Sequence, residues 1–222
     1  MDDYVRVQQV VPEYFPPIKG EVFAASVNKT GHMYLPILKN AHSWATKLLE
    51  TNLQFVNKKY FPREHAQFVK FIIILRDPIE RWIAGAAEYL SNYDPTLCRE
   101  FVSNDNFMKL ICDIGRLDLH TSRQLDVFFD IDIKQCVFFK CDSTLESTMH
   151  HFIKTVSKRD SVIPSNHYNM IEDGSESKRI AYHALTERLQ DKEYFDRVNK
   201  YVLPDVKLLE YITENNLWYT AR

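Results

Sequence analysis

Apolar residues fall along this chain in short continuous runs, separated by longer stretches where they recur every three or four positions. That alternation reads as strands interleaved with helices. Phe68 to Leu75 (FVKFIIIL) is the most apolar and β-branched run and predicts a strand buried on both faces, in the centre of a parallel sheet. Tyr34 to Leu38 is a second run, ending at Lys39. After a tight loop, Trp44 and Leu48, then Ala45 and Leu49, follow four apart, so strand, loop and helix succeed one another. Glu21–Val27 and Gln135–Lys140 read as further strands, and Asn28–Gly31 as the turn out of the first. Helical spacing predicts helices from Ser43 to about Asn52, from Pro78 to about Leu90, and over Asn104–Ile114, Ser143–Val156, Ser177–Gln190 and Lys192–Glu214. Pro204 interrupts or bends the last of these. Gln54–Arg63 is ambiguous and reads as a short strand and a loop broken by Pro62, and Asp160–Glu176 as a polar loop. The pattern predicts an α/β fold: a single three-layer domain over residues 21–222, with a mainly parallel central sheet flanked by helices. Residues 1–20, with Pro12, Pro16 and Pro17, are expected to form an N-terminal arm, extended or looped against the domain.

Composition narrows this only slightly. The chain has 222 residues and a formal net charge of −2, so no global basic field argues for nucleic acid or an anionic membrane. No stretch reaches the roughly 20 apolar residues of a membrane span. The start, MDDYVRVQQVV, lacks the basic end and apolar core of a signal peptide, and a cytoplasmic location is expected. Cys98, Cys112, Cys136 and Cys141 follow no metal or disulfide spacing, which fits a reducing compartment; Cys112 and Cys136 read as core thiols.

Chemistry is concentrated where strands pass into helices. Ligands of such sheets sit beyond the carboxyl ends of the strands, near helix N-termini. Lys39 and Arg76 occupy equivalent places, each just past an apolar strand and before a helix. Two cations there suit two separated phosphates, the arginine through a forked pair of hydrogen bonds. Ser43 and the N–H groups of the loop and helix start would hold the phosphate nearer Lys39. The competing readings are an exposed lysine with Ser43 capping the helix, and an Arg76 paired with Asp77 or Glu80.

At these residues the chain resembles the sulfotransferases that use 3′-phosphoadenosine-5′-phosphosulfate, in particular the carbohydrate type. LKNAHSW is similar to their first nucleotide motif, with Lys39 at the lysine, Ala41 at the small residue and Ser43 at the hydroxyl. RDPIERWIAGA is similar to the second, with Arg76, Asp77, Pro78 and Arg81 matching. LHTSRQ (His120, Gln124), QCVFFKCDSTLEST, HYNMIEDGSESK and YVLPDVKLLEY resemble later segments in the same order. The resemblance implies a P-loop NTPase-like sulfotransferase fold and a sulfuryl transfer from that donor to a hydroxyl, on a small molecule or a carbohydrate. It implies that Lys39, Asn40, Ala41, His42, Ser43 and Trp44 surround the 5′-phosphosulfate, although Trp44 also reads as core. Arg76 would take the 3′-phosphate. No metal is expected, because Lys39 and the loop amides supply the positive charge.

Three positions depart from the family pattern. Ala84 stands where a serine usually helps to hold the 3′-phosphate; Lys178 and Arg179 are the candidate replacements. Leu38 replaces a proline, and His42 a small residue or cysteine. The general base expected between the two motifs is His65, with Glu64 next to it, while His120 and His167 are alternatives that also suit an acceptor cleft. Arg63 is placed to steer an anionic acceptor, which loops such as Asn92–Ser103 and Leu117–Gln124 would read. Other readings are a donor-binding protein without catalysis and a P-loop kinase, the latter disfavoured by the missing G-x-x-x-x-G-K-[ST] loop.

Overall fold

The computed structural model describes residues 25–27, 31–58, 70–128, 131–162 and 174–221. The expected N-terminal arm lies outside them. Among the described residues are five strands, β1 (Ala25–Val27), β2 (His32–Tyr34), β3 (Val56–Lys58), β4 (Lys70–Leu75) and β5 (Cys136–Lys140). Seven α-helices accompany them: α1 (His42–Leu53), α2 (Pro78–Leu90), α3 (Pro95–Ser103), α4 (Asp105–Ile114), α5 (Leu145–Ser157), α6 (Glu176–Arg188) and α7 (Lys192–Glu214). The fold is α/β.

The chain divides into two compact units. The first takes its residues from Met1–Arg76, Gln124–Tyr168 and Lys207–Arg222, and holds the sheet, in the order β3-β1-β2-β4-β5. β2, β4 and β5 run parallel, with Tyr34 opposite Ile72 and Ile72 opposite Val137. The β1–β2 and β1–β3 pairs are antiparallel, so the sheet is mixed where a mainly parallel one is expected. The reason lies in the connection from Val27 to His32, which is a hairpin's length and too short for the crossover that parallel strands need.

β4 shows why its sequence is apolar throughout. Phe71, Ile73 and Leu75 join Met33 and Phe138 on one face, under Leu208 and Ile212 from the C-terminal part of α7 and Leu125 and Phe128 from a 3₁₀ turn (Gln124–Phe128). Ile72 and Ile74 join Tyr34 and Phe139 on the other face. Trp44, Leu48 and Leu49 of α1 and Met149, Phe152 and Ile153 of α5 cover them. Within this unit the sheet is therefore the middle of three layers. Each such side chain contributes about 1.5–3 kcal/mol on burial.

The second unit takes its residues from Asp77–Arg123 and Asn169–Val206. α2, α3, α4, α6 and the first part of α7 surround one core that includes Trp82, Ala86, Leu90, Met108, Leu185 and Val198. Asp77 caps α2, accepting from Glu80 N at 2.9 Å, with Pro78 in the first turn. α3 replaces most of the loop expected over Asn92–Ser103. Asp94 accepts from Thr96 N and Leu97 N, Pro95 opens the helix, and Cys98 and Val102, four apart, are buried. Pro204 does not interrupt α7, which runs unbroken from Lys192 to Glu214. No helix among the described residues is long and apolar enough to cross a membrane.

Candidate functional site

The site lies in the first unit, at the carboxyl ends of β2 and β4. These strands are adjacent and parallel, so Lys39 and Arg76 follow neighbouring strand ends. Paired strand ends at Tyr34, short of the expected Leu38, as the chain leaves the sheet for a turn at Ile37–Asn40. Leu35 N still reaches Ile72 O at 3.1 Å, and the chain then turns, with Asn40 N bonded to Ile37 O at 3.2 Å.

Lys39 occupies the third place of that turn with φ 68°, and Ala41 follows with φ 54°. Left-handed backbone of this kind usually falls to Gly or Asn and costs other residues roughly 1–2 kcal/mol each. α1 begins directly after, at His42. Ala41 occupies the cap position and supplies no side-chain acceptor, and Ser43 is the second helical residue, not the cap. A left-handed residue followed by right-handed ones turns successive N–H groups toward one concavity, the geometry of a backbone anion nest. Ser43 is exposed, and Lys39, Ala41 and His42 are half-buried.

A buried amide frame lies beneath. Asn40 and Gln124 are both fully buried. Asn40 Nδ2 donates to Ile74 O at 2.8 Å and to Gln124 Oε1 at 2.6 Å. Gln124 Oε1 also accepts Arg76 N at 2.9 Å, and Gln124 Nε2 donates to Arg76 O at 2.8 Å. Ile74 O lies two residues beyond Ile72 O and faces the same side of β4. A side chain thus takes up the carbonyl that a longer β2 would have met. The Arg76 guanidinium bends back over the same loop, its Nη1 3.4 Å from Lys39 O.

His42 lies against α1, its Nδ1 3.2 Å from Thr46 Oγ1 and its ring stacked at 6.3 Å on Tyr34. Burial lowers its pKa, so the ring is neutral near pH 7. Trp44 is buried within the apolar cluster of α1, the core role.

The remaining candidates fall elsewhere. Arg63, Glu64, His65 and His167 lie outside the described residues. Ala84, His120, Lys178 and Arg179 belong to the second unit. There Ala84 is buried on α2, and Glu88, one turn on along the same face, holds the Lys178 ammonium at 3.0 Å. Arg179 is exposed. His120 Nδ1 lies 2.9 Å from Asp118 Oδ2, a contact that leaves Nε2 as the acceptor when the ring is neutral. Arg81, buried, donates to Ser122 O and so ties α2 to the 117–123 loop. Among the described residues no cluster of His, Cys, Asp and Glu could hold a metal ion.

In the sequence Gln124 is marked only by its place in LHTSRQ and in the 117–124 loop expected to read the acceptor. The available signal was a glutamine standing just before the apolar residues Leu125, Val127 and Phe128, and it is buried. Comparison with family models, with curated proteins and with solved structures gives no match to this chain.

Proposed function

We propose that the chain is a sulfotransferase that takes its sulfuryl group from 3′-phosphoadenosine-5′-phosphosulfate and passes it to a hydroxyl, on a carbohydrate or a small molecule. One observation carries the reading. Two cations, Lys39 and Arg76, follow adjacent parallel strand ends, with the strained, uncapped start of α1 beside them. Two left-handed positions close together at a lysine, held by a buried frame, support the reading of this loop as one shaped for a ligand. The finer fold assignment, a P-loop-like sulfotransferase domain, belongs to the same proposal, as does a reducing cytoplasm, which the irregular spacing of the four cysteines suits.

In the proposed reaction the acceptor oxygen attacks sulfur as the bond from sulfur to the 5′-phosphate oxygen breaks. The electron pair of that bond stays with the phosphate, leaving adenosine 3′,5′-bisphosphate. Lys39 and the N–H groups at the start of α1 stabilise the charge that develops there. The hydroxyl proton passes to a base: His65 first, then Glu64, with His167 as an alternative. Arg76 binds the 3′-phosphate.

Ala84 favours a second reading, donor binding without transfer, since a methyl group stands where the resemblance calls for a hydroxyl. Incubation with the donor carrying labelled sulfate and a panel of glycans and small alcohols separates the two. Transfer of label supports the first reading; tight binding of the bisphosphate without transfer supports the second.

A further inference from the structure

We infer that Gln124 is a positioning residue that sets the direction of Arg76 toward its phosphate, an inference that rests on the reading just proposed. Its backbone is anchored, since Leu125 and Phe128 of the same 3₁₀ turn are buried in the core with Phe138. Its carboxamide takes both backbone groups of one residue, accepting Arg76 N at 2.9 Å and donating to Arg76 O at 2.8 Å. The same oxygen accepts Asn40 Nδ2 at 2.6 Å, and Asn40 passes the link to Ile74 O at 2.8 Å. The loop carrying Lys39 and the strand end carrying Arg76 are therefore joined through two side-chain amides, both fully buried.

The side-chain chemistry at 124 is narrowly constrained. The site requires an acceptor and a donor at the same reach, within a buried region where water does not replace a lost partner. Asparagine is one methylene short, methionine has no donor, and an ionised glutamate presents an acceptor to the Arg76 carbonyl. Charge decides the matter further. A carboxylate beneath Lys39 and Arg76 would neutralise part of the positive field that an anionic ligand needs. Glutamine and asparagine hold both loops and add no charge. Asn40 obeys the same bookkeeping: both its N–H protons are used, which fixes the amide orientation, and its Oδ1 is buried without a hydrogen-bond partner.

The test compares two ligands, adenosine 3′,5′-bisphosphate and adenosine 5′-monophosphate, by calorimetry on the wild type and on Gln124→Met. The bisphosphate is expected to lose at least about tenfold in affinity and the monophosphate less than about threefold, because the difference lies in the phosphate that Arg76 reads. Equal losses for the two ligands, or no loss, would overturn the inference. If Gln124→Met does not fold, Gln124→Glu replaces it. Its carboxyl, raised by burial above the ordinary value of about 4.3, can once protonated again donate to Arg76 O, so its bisphosphate affinity relative to wild type should recover as pH falls from about 8 to about 4.3. A ratio that stays flat with pH would overturn the inference. A folded wild type that does not bind the bisphosphate defeats the site reading itself. A wild type that binds it while the Gln124 variants are indifferent defeats only the positioning role.

Discussion

The side-chain amide of Asn40 donates to the carbonyl oxygen of Ile74 at 2.8 Å, at the point where β2 has stopped pairing with β4. The bond keeps the Lys39 loop on the sheet after the ladder ends. Replacing Asn40 by Ala removes this bond and the one to Gln124, both of them buried. A loss of about 1–3 kcal/mol in folding free energy is expected. Denaturant unfolding of the variant measures it, and an unchanged midpoint would show that the loop is held by other contacts.

Lys39 is held at φ 68°, which glycine adopts without strain. Lys39→Gly should therefore keep the stability of the wild type or raise it by up to about 1 kcal/mol, the relief of strain exceeding the extra entropy of the unfolded chain. The same variant should lose bisphosphate binding. A residue that opposes stability and supports binding is one kept for its chemistry, and thermal unfolding with calorimetry on the one variant reads both quantities.

A Cβ built on Gly85 would come within 2.3 Å of the His120 carbonyl oxygen. This is backbone, so it cannot rotate away. Gly85→Ala should cost roughly 1–3 kcal/mol, the usual range for overpacking, and lower the thermal midpoint by several degrees. Wild-type stability in that variant would mean that the 117–123 loop shifts freely.

Burial lowers the pKa of His42, so the folded chain resists its protonation more than the unfolded chain does. Below about pH 6.5, the ordinary histidine value, the unfolded state binds the extra proton first, and stability falls as pH falls. His42→Gln should flatten that part of the stability–pH curve while leaving the curve near pH 8 unaltered in slope. Urea titrations across this range test it; an unchanged acid limb would place the loss on other groups.

How much of this was legible in the sequence depends on whether a signal was local. β4 declared itself because Phe71 to Leu75 are all apolar, which only a strand covered on both faces requires. The start of α2 was legible from Asp77 and Pro78, a cap and a first-turn residue whose roles depend on their immediate neighbours. α3 went unread because it is only nine residues long and buries only Cys98 and Val102, while Leu97 on the same helix is exposed. The site divides the same way. Lys39 and Arg76 were visible as basic residues after apolar runs. The left-handed backbone at Lys39 and Ala41 carries no glycine to announce it. The Asn40–Gln124 bond spans 84 positions, and no local pattern reports a contact of that separation.

The most direct measurement is calorimetric titration of the folded chain with adenosine 3′,5′-bisphosphate and with ATP, repeated on Lys39→Ala and Arg76→Ala. The expected result is one site that prefers the bisphosphate, weakened by at least about tenfold in each variant, as loss of a charge-assisted contact requires. No binding by the folded wild type, a preference for ATP, or unchanged affinity in both variants would contradict the assignment of Lys39 and Arg76 as the paired phosphate contacts.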